Sequence, residues 1–357
     1  MTRKKARAGR ATRPAEFVPP YLPSWIDRLI HWIERLPGPA WAFYLLAGLV
    51  FAVGFSIVQA REGAYTLSGY RPAHAFLALQ PFVALALIHY FDSAASRSFE
   101  RFRPALRTGP LDDREVRWRL IHLPARATVL ASLVGLLLVP LMWALLRDPI
   151  PLFGFASTQL SLVSVVAIMM LTWIVYSPLL YHTIHQLRWV AAIHARYTVA
   201  DPYDIEPLYA FSGLTVRTAL GLVVINYGWQ FVFATPVNNI VNVGLTAVFA
   251  LLAVVVFAAP LWGVHQLLLE EKARLLTDCA RRMKATFAEF RRRIDSGRIK
   301  GMDDLHKTMS SLEIEHSALT RIPTWPWQPG TIRGLAAALF LPILLWLIQF
   351  GLERMLK

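Results

Sequence analysis

Long apolar runs dominate the pattern of hydrophobic and polar positions along this chain. A helix needs roughly 17–25 apolar residues to cross the ~30 Å hydrocarbon core of a bilayer. Seven runs meet this requirement, at residues 41–60, 73–91, 127–146, 158–182, 218–234, 240–264 and 334–351. The pattern predicts an all-α protein, a polytopic transmembrane helical bundle of about seven spans.

Lysine and arginine lie on alternate sides of these runs. When the N-terminus is placed in the cytoplasm, 32 of the 37 basic residues lie in cytoplasmic segments. These segments are residues 1–39, 92–126, 183–217 and 265–333. Cytoplasmic loops of membrane proteins carry such an excess of positive charge. We therefore expect a multi-pass protein of the plasma membrane with a cytoplasmic N-terminus.

The net charge of +14 has the same explanation. Nucleic-acid-binding proteins carry their Lys and Arg on a polar domain with its own core, and no segment here has that composition. We expect the partners to be the lipid bilayer, with anionic lipid at the cytoplasmic face, and no nucleic acid.

Four parts follow from this division. Residues 1–39 form a basic tail and an interfacial amphipathic helix, and residues 40–264 form a six-span bundle. Residues 265–330 form a cytoplasmic antiparallel helical hairpin that ends in a Pro/Trp elbow, and residues 331–357 contain the seventh span and a short tail.

The segment from Ser24 to Leu36 separates apolar from polar residues around a helix. One face carries Trp25, Ile26, Leu29, Trp32, Ile33 and Leu36, and the other carries Asp27, Arg28, His31, Glu34 and Arg35. Ser24 and Asp27 have the spacing of a capping box. The pattern favours a helix in the membrane interface, and the alternative is a helix packed on the protein itself.

The hairpin is predicted from two consecutive helical patterns. The sixth span continues as a helix to Arg293, and a second helix follows a turn at Asp295–Gly301. The second helix has a coiled-coil-like seam of Met302, Leu305, Met309, Leu312, His316 and Leu319. The hairpin either packs on itself or joins two chains into a homo-oligomer through residues 265–322.

Histidines end the three spans that run from outside to inside. His89 ends the second span, His182 and His185 end the fourth, and His265 ends the sixth. The last two spans share Pro-Leu followed by His-Gln-Leu, which suggests an internal repeat of hairpins. If the spans converge, the four imidazoles with nearby carboxylates suit a divalent metal such as Zn, Fe or Mn. The alternative is that each imidazole binds carbonyl groups at helix ends.

Amides supply the other polar group. Asn226, Gln230 and Asn242 lie near the outer ends of the fifth and sixth spans. They fit either a pore lining or hydrogen bonds between helices. The loop 194–217, which contains His194, is expected to cap the cytoplasmic face.

Three functions remain open from the sequence. The chain has one cysteine, no Gly-rich phosphate loop and no nucleophile elbow. We therefore favour a non-enzymatic sensor or interaction protein in which the bundle is coupled to the cytoplasmic hairpin. The alternatives are an oligomeric channel or uniporter and a membrane metalloprotein.

Overall fold

The computed structural model describes residues 17–65, 72–106, 112–146, 154–198, 201, 204–232, 240–297, 301–327 and 330–340. Helices make up 85% of the structure, and these residues form no β-strand. The basic residues before position 17, and the seventh predicted span beyond position 340, lie outside the described residues.

Eleven helices follow one another in the described parts of the chain. They are α1 (Trp25–Glu34), α2 (Ala40–Arg61), α3 (Pro72–Phe102), α4 (Asp113–Ile121), α5 (Ala125–Leu146), α6 (Gln159–Arg196), α7 (Ala210–Val232), α8 (Ile240–Ala258), α9 (Trp262–Asp295), α10 (Met302–Arg321) and α11 (Gly330–Phe340). Short 3-10 turns at Arg103–Ala105, Glu206–Tyr209 and Ala259–Leu261 connect some of them.

Five helical segments are long and apolar enough to cross a membrane. They are Ala40–Arg61, Pro72–Ala105, Gln159–Arg196, Glu206–Gly228 and Ala247–Asp295. Two shorter apolar helices, Ala125–Leu141 and Gly330–Phe340, overlap parts of the third and seventh predicted spans. The molecule is thus a helical protein with the helices of a multi-pass membrane protein.

Several helices extend past the apolar runs that predicted them. The second run ends at residue 91, yet α3 continues to Phe102; the fourth ends at residue 182, yet α6 continues to Arg196. Hydropathy detects only the part of a helix that matches lipid, and good helix formers carry the same helix into the polar region. The prediction of a loop beginning at His194 was wrong for this reason.

Consecutive apolar helices pack as antiparallel pairs, α2 with α3, α5 with α6, and α7 with α8. Glycines allow two of these pairs to approach closely. A Cβ at Gly135 would lie 2.3 Å from the Trp173 carbonyl oxygen, and one at Gly48 would lie 2.8 Å from Leu79. Small residues at such crossings are typical of membrane helices, whose association depends on close packing.

A polar cluster joins α2 to α6 at one end of the bundle. The Gln59 side chain, fully buried, donates to Ser164 and accepts from the Ser161 hydroxyl at 2.8 Å and from the Ala156 N–H at 3.3 Å. Each of its polar atoms is therefore paired, as burial requires.

The opposite end, which we call the arm end, carries α1, α4 and the start of α9. Ile26, Ile30 and Ile33 of α1 are buried against α2, α3 and α6, while Trp32 remains 57% exposed. Val116 and Leu120 of α4 pack into the core formed by α3, α6 and α7. The isoleucine face of α1 therefore packs on the protein, which the sequence leaves open as the alternative to a helix in the membrane interface.

Helix α9 leaves the bundle with α10 packed beside it, and we call this pair the arm. Near the bundle, Cys279, Leu312 and Leu319 form a small buried core between the two helices. Arg282 of α9 pairs with Glu315 of α10 at 2.6 Å.

Candidate functional site

A cavity of about 810 Å³ opens at the arm end between α1, the last turns of α3, and α4. We call it the α1–α4 cavity. Its lining includes the carboxylates of Asp27, Glu34 and Asp92. Each of these carboxylates has a partner within the protein. Asp27 and Glu34 connect α1 to the rest of the bundle, and Asp92 connects α3 to α6.

Asp27 holds the N-terminal segment against the link between α4 and α5. Its carboxylate accepts the Ser24 N–H at 2.7 Å and the Leu123 N–H at 3.1 Å, while the Ser24 hydroxyl accepts the Asp27 N–H. The capping box of α1 thus serves a second purpose, because the same carboxylate binds a residue 96 positions away. Tyr21 donates to the His122 carbonyl at 2.8 Å nearby, and burial raises the pKa of this phenol, which keeps it a donor.

Glu34 links α1 to the histidine that ends the second predicted span. The Glu34 carboxylate lies 3.2 Å from His89 Nε2, and the other ring nitrogen, Nδ1, lies 3.1 Å from the Tyr44 hydroxyl. His89 is thus fully engaged by α1 and α2.

Asp92 and His182 form a buried pair between α3 and α6. The carboxylate lies 2.7 Å from His182 Nε2, and the imidazole is 1% exposed. His182 Nδ1 has no hydrogen-bond partner among the described residues. The pair stabilises the contact between the two helices where the bundle meets the α1–α4 cavity.

His185 and Gln186 cap the end of α4. His185 Nε2 donates to the Arg119 carbonyl at 3.0 Å, and the Gln186 side-chain amide donates to the Leu120 carbonyl at 3.4 Å. The last carbonyls of a helix have no partner within that helix. Two neighbouring residues of α6 therefore fix α4 in place.

His265 makes the corresponding contact for the chain that leaves the arm. Its Nδ1 donates to the Thr324 carbonyl at 3.0 Å, just after α10. In both copies of His-Gln-Leu the histidine thus donates to a backbone carbonyl of a distant segment, the last turn of α4 for His185 and the chain after α10 for His265.

An aromatic stack continues from His265 back to the bundle. His265 and Trp325 have ring centres 3.7 Å apart, Trp325 and Trp327 are 4.2 Å apart, and Trp327 and Phe257 are 5.4 Å apart. This stack, the aromatic stack below, connects α9, the chain after α10, and α8. Both of its tryptophans belong to the predicted elbow.

His194 completes the junction between bundle and arm. Located in α6 and 1% exposed, it donates from Nδ1 to the Pro260 carbonyl at 3.1 Å, within the 3-10 turn that joins α8 to α9. Sequence reasoning missed this role because it placed His194 in a loop. The signal was available in the unbroken helix-forming sequence Arg188–Arg196.

The four predicted metal ligands therefore each have a different neighbour. Among the residues that the structure describes, no group of three or more His, Cys, Asp or Glu is arranged to hold a metal ion. His89, His182, His185 and His265 are engaged by Glu34, Asp92, Arg119 and Thr324 respectively. The divalent-metal site stays a prediction that this geometry does not support.

The predicted amide cluster is described only in part. Asn226 is 5% exposed and lies within α7. Gln230 and Asn242 belong to α7 and α8, and their side chains lie outside the described part of the structure. The pore-lining reading stays a prediction.

Comparisons with known proteins identify no relative of this chain. No family model matches the sequence, and neither the curated proteins nor the solved structures contain a match. Function must therefore be argued from the geometry of the arm end.

Proposed function

We propose that this chain is a non-enzymatic coupling protein of the plasma membrane. In this proposal the bundle crosses the membrane seven times, the arm end faces the cytoplasm, and the arm carries the state of the bundle to a partner. The distribution of Lys and Arg supports this orientation, because the segments assigned to the cytoplasm hold 32 of the 37.

The observation that carries the proposal is the double attachment of the arm to the bundle. One attachment is the short 3-10 turn Ala259–Leu261 between α8 and α9, whose Pro260 carbonyl is held by His194. The other is the aromatic stack, which fixes the chain after α10 to α9 and α8. The chain is thus attached to the bundle both where it enters the arm and where it leaves it. Such an arm has little freedom to move independently, so a tilt of α6 or α8 would change the position of the arm.

The arm itself is built to move as a unit near the bundle. Lys272 of α9 donates to the carbonyls of Thr320 and Ile322 at 2.7 and 2.8 Å, and Cys279 is buried against Leu312. These contacts join the two helices beside the aromatic stack. A movement imposed on α9 would therefore carry α10 with it.

The far end of the arm is less closely packed and is the part we assign to partner binding. A cavity of about 240 Å³ separates the helices there, lined in part by Phe287, Phe290 and Met309. Phe287 is 47% exposed. Because α9 is rich in Arg while the first turn of α10 is acidic with Asp303 and Asp304, a second copy of the chain offers complementary charge, and we propose it as the partner.

Self-association is tested by Phe287→Glu, which places a charge on this surface. We expect the wild-type protein in detergent to have the mass of a dimer by light scattering and the variant to have that of a monomer. Val18→Glu, at an exposed apolar residue before α1 and outside the predicted spans, is the matched control. A wild-type monomer at all concentrations would contradict the proposed partner.

Coupling is tested by distances between spin labels. In a Cys279→Ser background, labels at Arg196→Cys and Lys284→Cys report the position of the arm relative to α6. Spans tilt to match bilayer thickness, so we expect the label distance to differ between thin and thick phosphatidylcholine bilayers. Trp325→Ala, which removes the centre of the aromatic stack, should broaden the distances and abolish their dependence on thickness.

Trp41→Ala, an exposed tryptophan on α2, is the control and should leave both results unchanged. A broad distribution in the protein with an intact stack, or distances that do not respond to thickness, would refute the coupling mechanism.

A further inference from the structure

The α1–α4 cavity is lined by acidic and basic side chains, and these differ in whether they have partners among the described residues. Its three carboxylates are all engaged within the protein, Asp27 by backbone N–H groups, Glu34 by His89, and Asp92 by His182. In the described part of the structure, none of them forms an ion pair with an arginine. The cavity nevertheless also has four arginines in its lining, supplied by three helices.

The arginines differ in whether the protein uses them. Arg117 pairs with Glu100 and donates to the Ser96 hydroxyl, and Arg28 donates only to a backbone carbonyl, that of Ser24. Arg97 of α3 and Arg114 of α4 have guanidinium groups with no hydrogen bond or ion pair to any described residue. Two exposed arginines from different helices, unpaired within the described part of the structure, thus line one cavity.

The geometry points to the α1–α4 cavity as a binding site for a phosphate ester, with Arg97 and Arg114 as its principal ligands. A guanidinium group matches the paired oxygens of a phosphate in a bidentate arrangement. A volume of about 810 Å³ lies within the range of ordinary small-ligand sites. The phosphate can belong to a lipid headgroup or to a soluble molecule. This inference goes beyond the coupling function and does not depend on the arm.

Several hydrogen bonds hold α1 and α4 in place around the cavity. Asp27 and Tyr21 bind the α4–α5 link, and His185 and Gln186 bind the end of α4. These contacts fix the helices that carry Arg28 and Arg114 relative to α3, which carries Arg97. Because the helices are already in place, binding has to order only the arginine side chains, which costs less free energy than ordering mobile backbone as well.

The test uses the full chain in a maltoside detergent, which contains no phosphate. Inorganic phosphate and a short-chain phosphatidylglycerol are titrated separately by calorimetry, and phospholipid retained through purification is measured as total phosphorus. The variant is Arg97→Gln/Arg114→Gln. Arg196→Gln, an exposed arginine on α6 with no partner among the described residues, is the matched control.

We expect the double variant to weaken binding by at least about tenfold, because each charge-assisted contact contributes more than a neutral hydrogen bond. The control should bind as the wild type does. Binding of inorganic phosphate indicates a soluble ester as ligand. Binding of phosphatidylglycerol alone, or retained phospholipid that the double variant loses, indicates a headgroup.

The inference is overturned if the wild type binds neither probe and retains no phospholipid, or if the double variant binds and retains as much as the wild type. Misfolding is checked by the thermal transition of the variant, which should stay unchanged because neither guanidinium group has a hydrogen bond or ion pair to a described residue. Arg97→Lys/Arg114→Lys provides a second check. It keeps the charge but loses the bidentate fork, so it should fall between the wild type and the glutamine variant.

Discussion

The rings of His265 and Trp325 lie nearly parallel, with centres 3.7 Å apart and 8° between their planes. His265 also donates to the Thr324 carbonyl, so one side chain makes a polar and an aromatic contact with the same short segment. The two contacts can be separated by substitution.

His265→Phe keeps a ring on Trp325 but removes the donor to Thr324. We expect a loss of about 1 kcal/mol in unfolding free energy, the usual contribution of one hydrogen bond. His265→Ala also removes the ring and should cost about 0.5–1.5 kcal/mol more. Unfolding of the purified protein is followed by its thermal transition. His31→Ala, an exposed histidine on α1, should have no measurable effect, and equal losses for the two His265 variants would exclude a contribution from stacking.

Asp92 and His182 should behave as a coupled pair. Removing one member of a buried hydrogen-bonded pair costs about 1–3 kcal/mol or more, because the remaining polar group stays buried without its partner. We expect His182→Ala to destabilise strongly, and the double variant Asp92→Ala/His182→Ala to cost less than the sum of the two single variants. A double-mutant cycle gives the interaction energy directly. Additive losses would mean that the two side chains do not interact.

Gly135 should tolerate no side chain. A Cβ there would meet the Trp173 carbonyl oxygen at 2.3 Å, and backbone cannot move aside as a flexible side chain can. Gly135→Ala should therefore destabilise the protein by about 1–3 kcal/mol, as overpacking does. Gly54→Ala on α2 is the matched control, because no atom lies within 4 Å of its Cβ position. That variant should be neutral or slightly stabilising, since alanine favours helix.

Asp27 should control the attachment of the N-terminal segment. Asp27→Ala leaves the N–H groups of Ser24 and Leu123 without their acceptor, and we expect a loss of about 2 kcal/mol. Limited proteolysis should then cut before α1 sooner than in the wild type. Asp27→Asn retains an acceptor oxygen and should lie between the two. Asp303→Ala, an exposed acid on α10, should leave the cleavage rate unchanged.

Much of the fold could be predicted because lipid imposes a simple requirement on sequence. A span must be apolar over its whole length, and its backbone must be hydrogen-bonded internally. Helices, and the approximate positions of several of them, therefore follow directly from the hydrophobic runs. Their ends could not be predicted in the same way, since α3 and α6 continue where hydropathy no longer requires a helix.

The site was predictable only as a set of residue types. The sequence suggests that His185 and His265 occupy similar positions in a repeat, and each donates to a backbone carbonyl far along the chain. It cannot indicate which carbonyl each one reaches, because Arg119 and Thr324 are 66 and 59 positions away. Arg97 and Arg114 illustrate the same limit. In the sequence they are two of many basic loop residues, and only the packing of α4 against α3 places them on one cavity.

The length of α9 gives the short turn at Ala259–Leu261 a mechanical consequence. With 34 residues and a rise of about 1.5 Å per residue, the helix is a lever of about 50 Å. A change of about 10° in the direction of α9 at the preceding 3-10 turn displaces the far tip of the helix by about 9 Å. In the proposed mechanism, an adjustment of the helices around Pro260 that tilts α9 by this angle would move its tip by a distance comparable to the width of a helix.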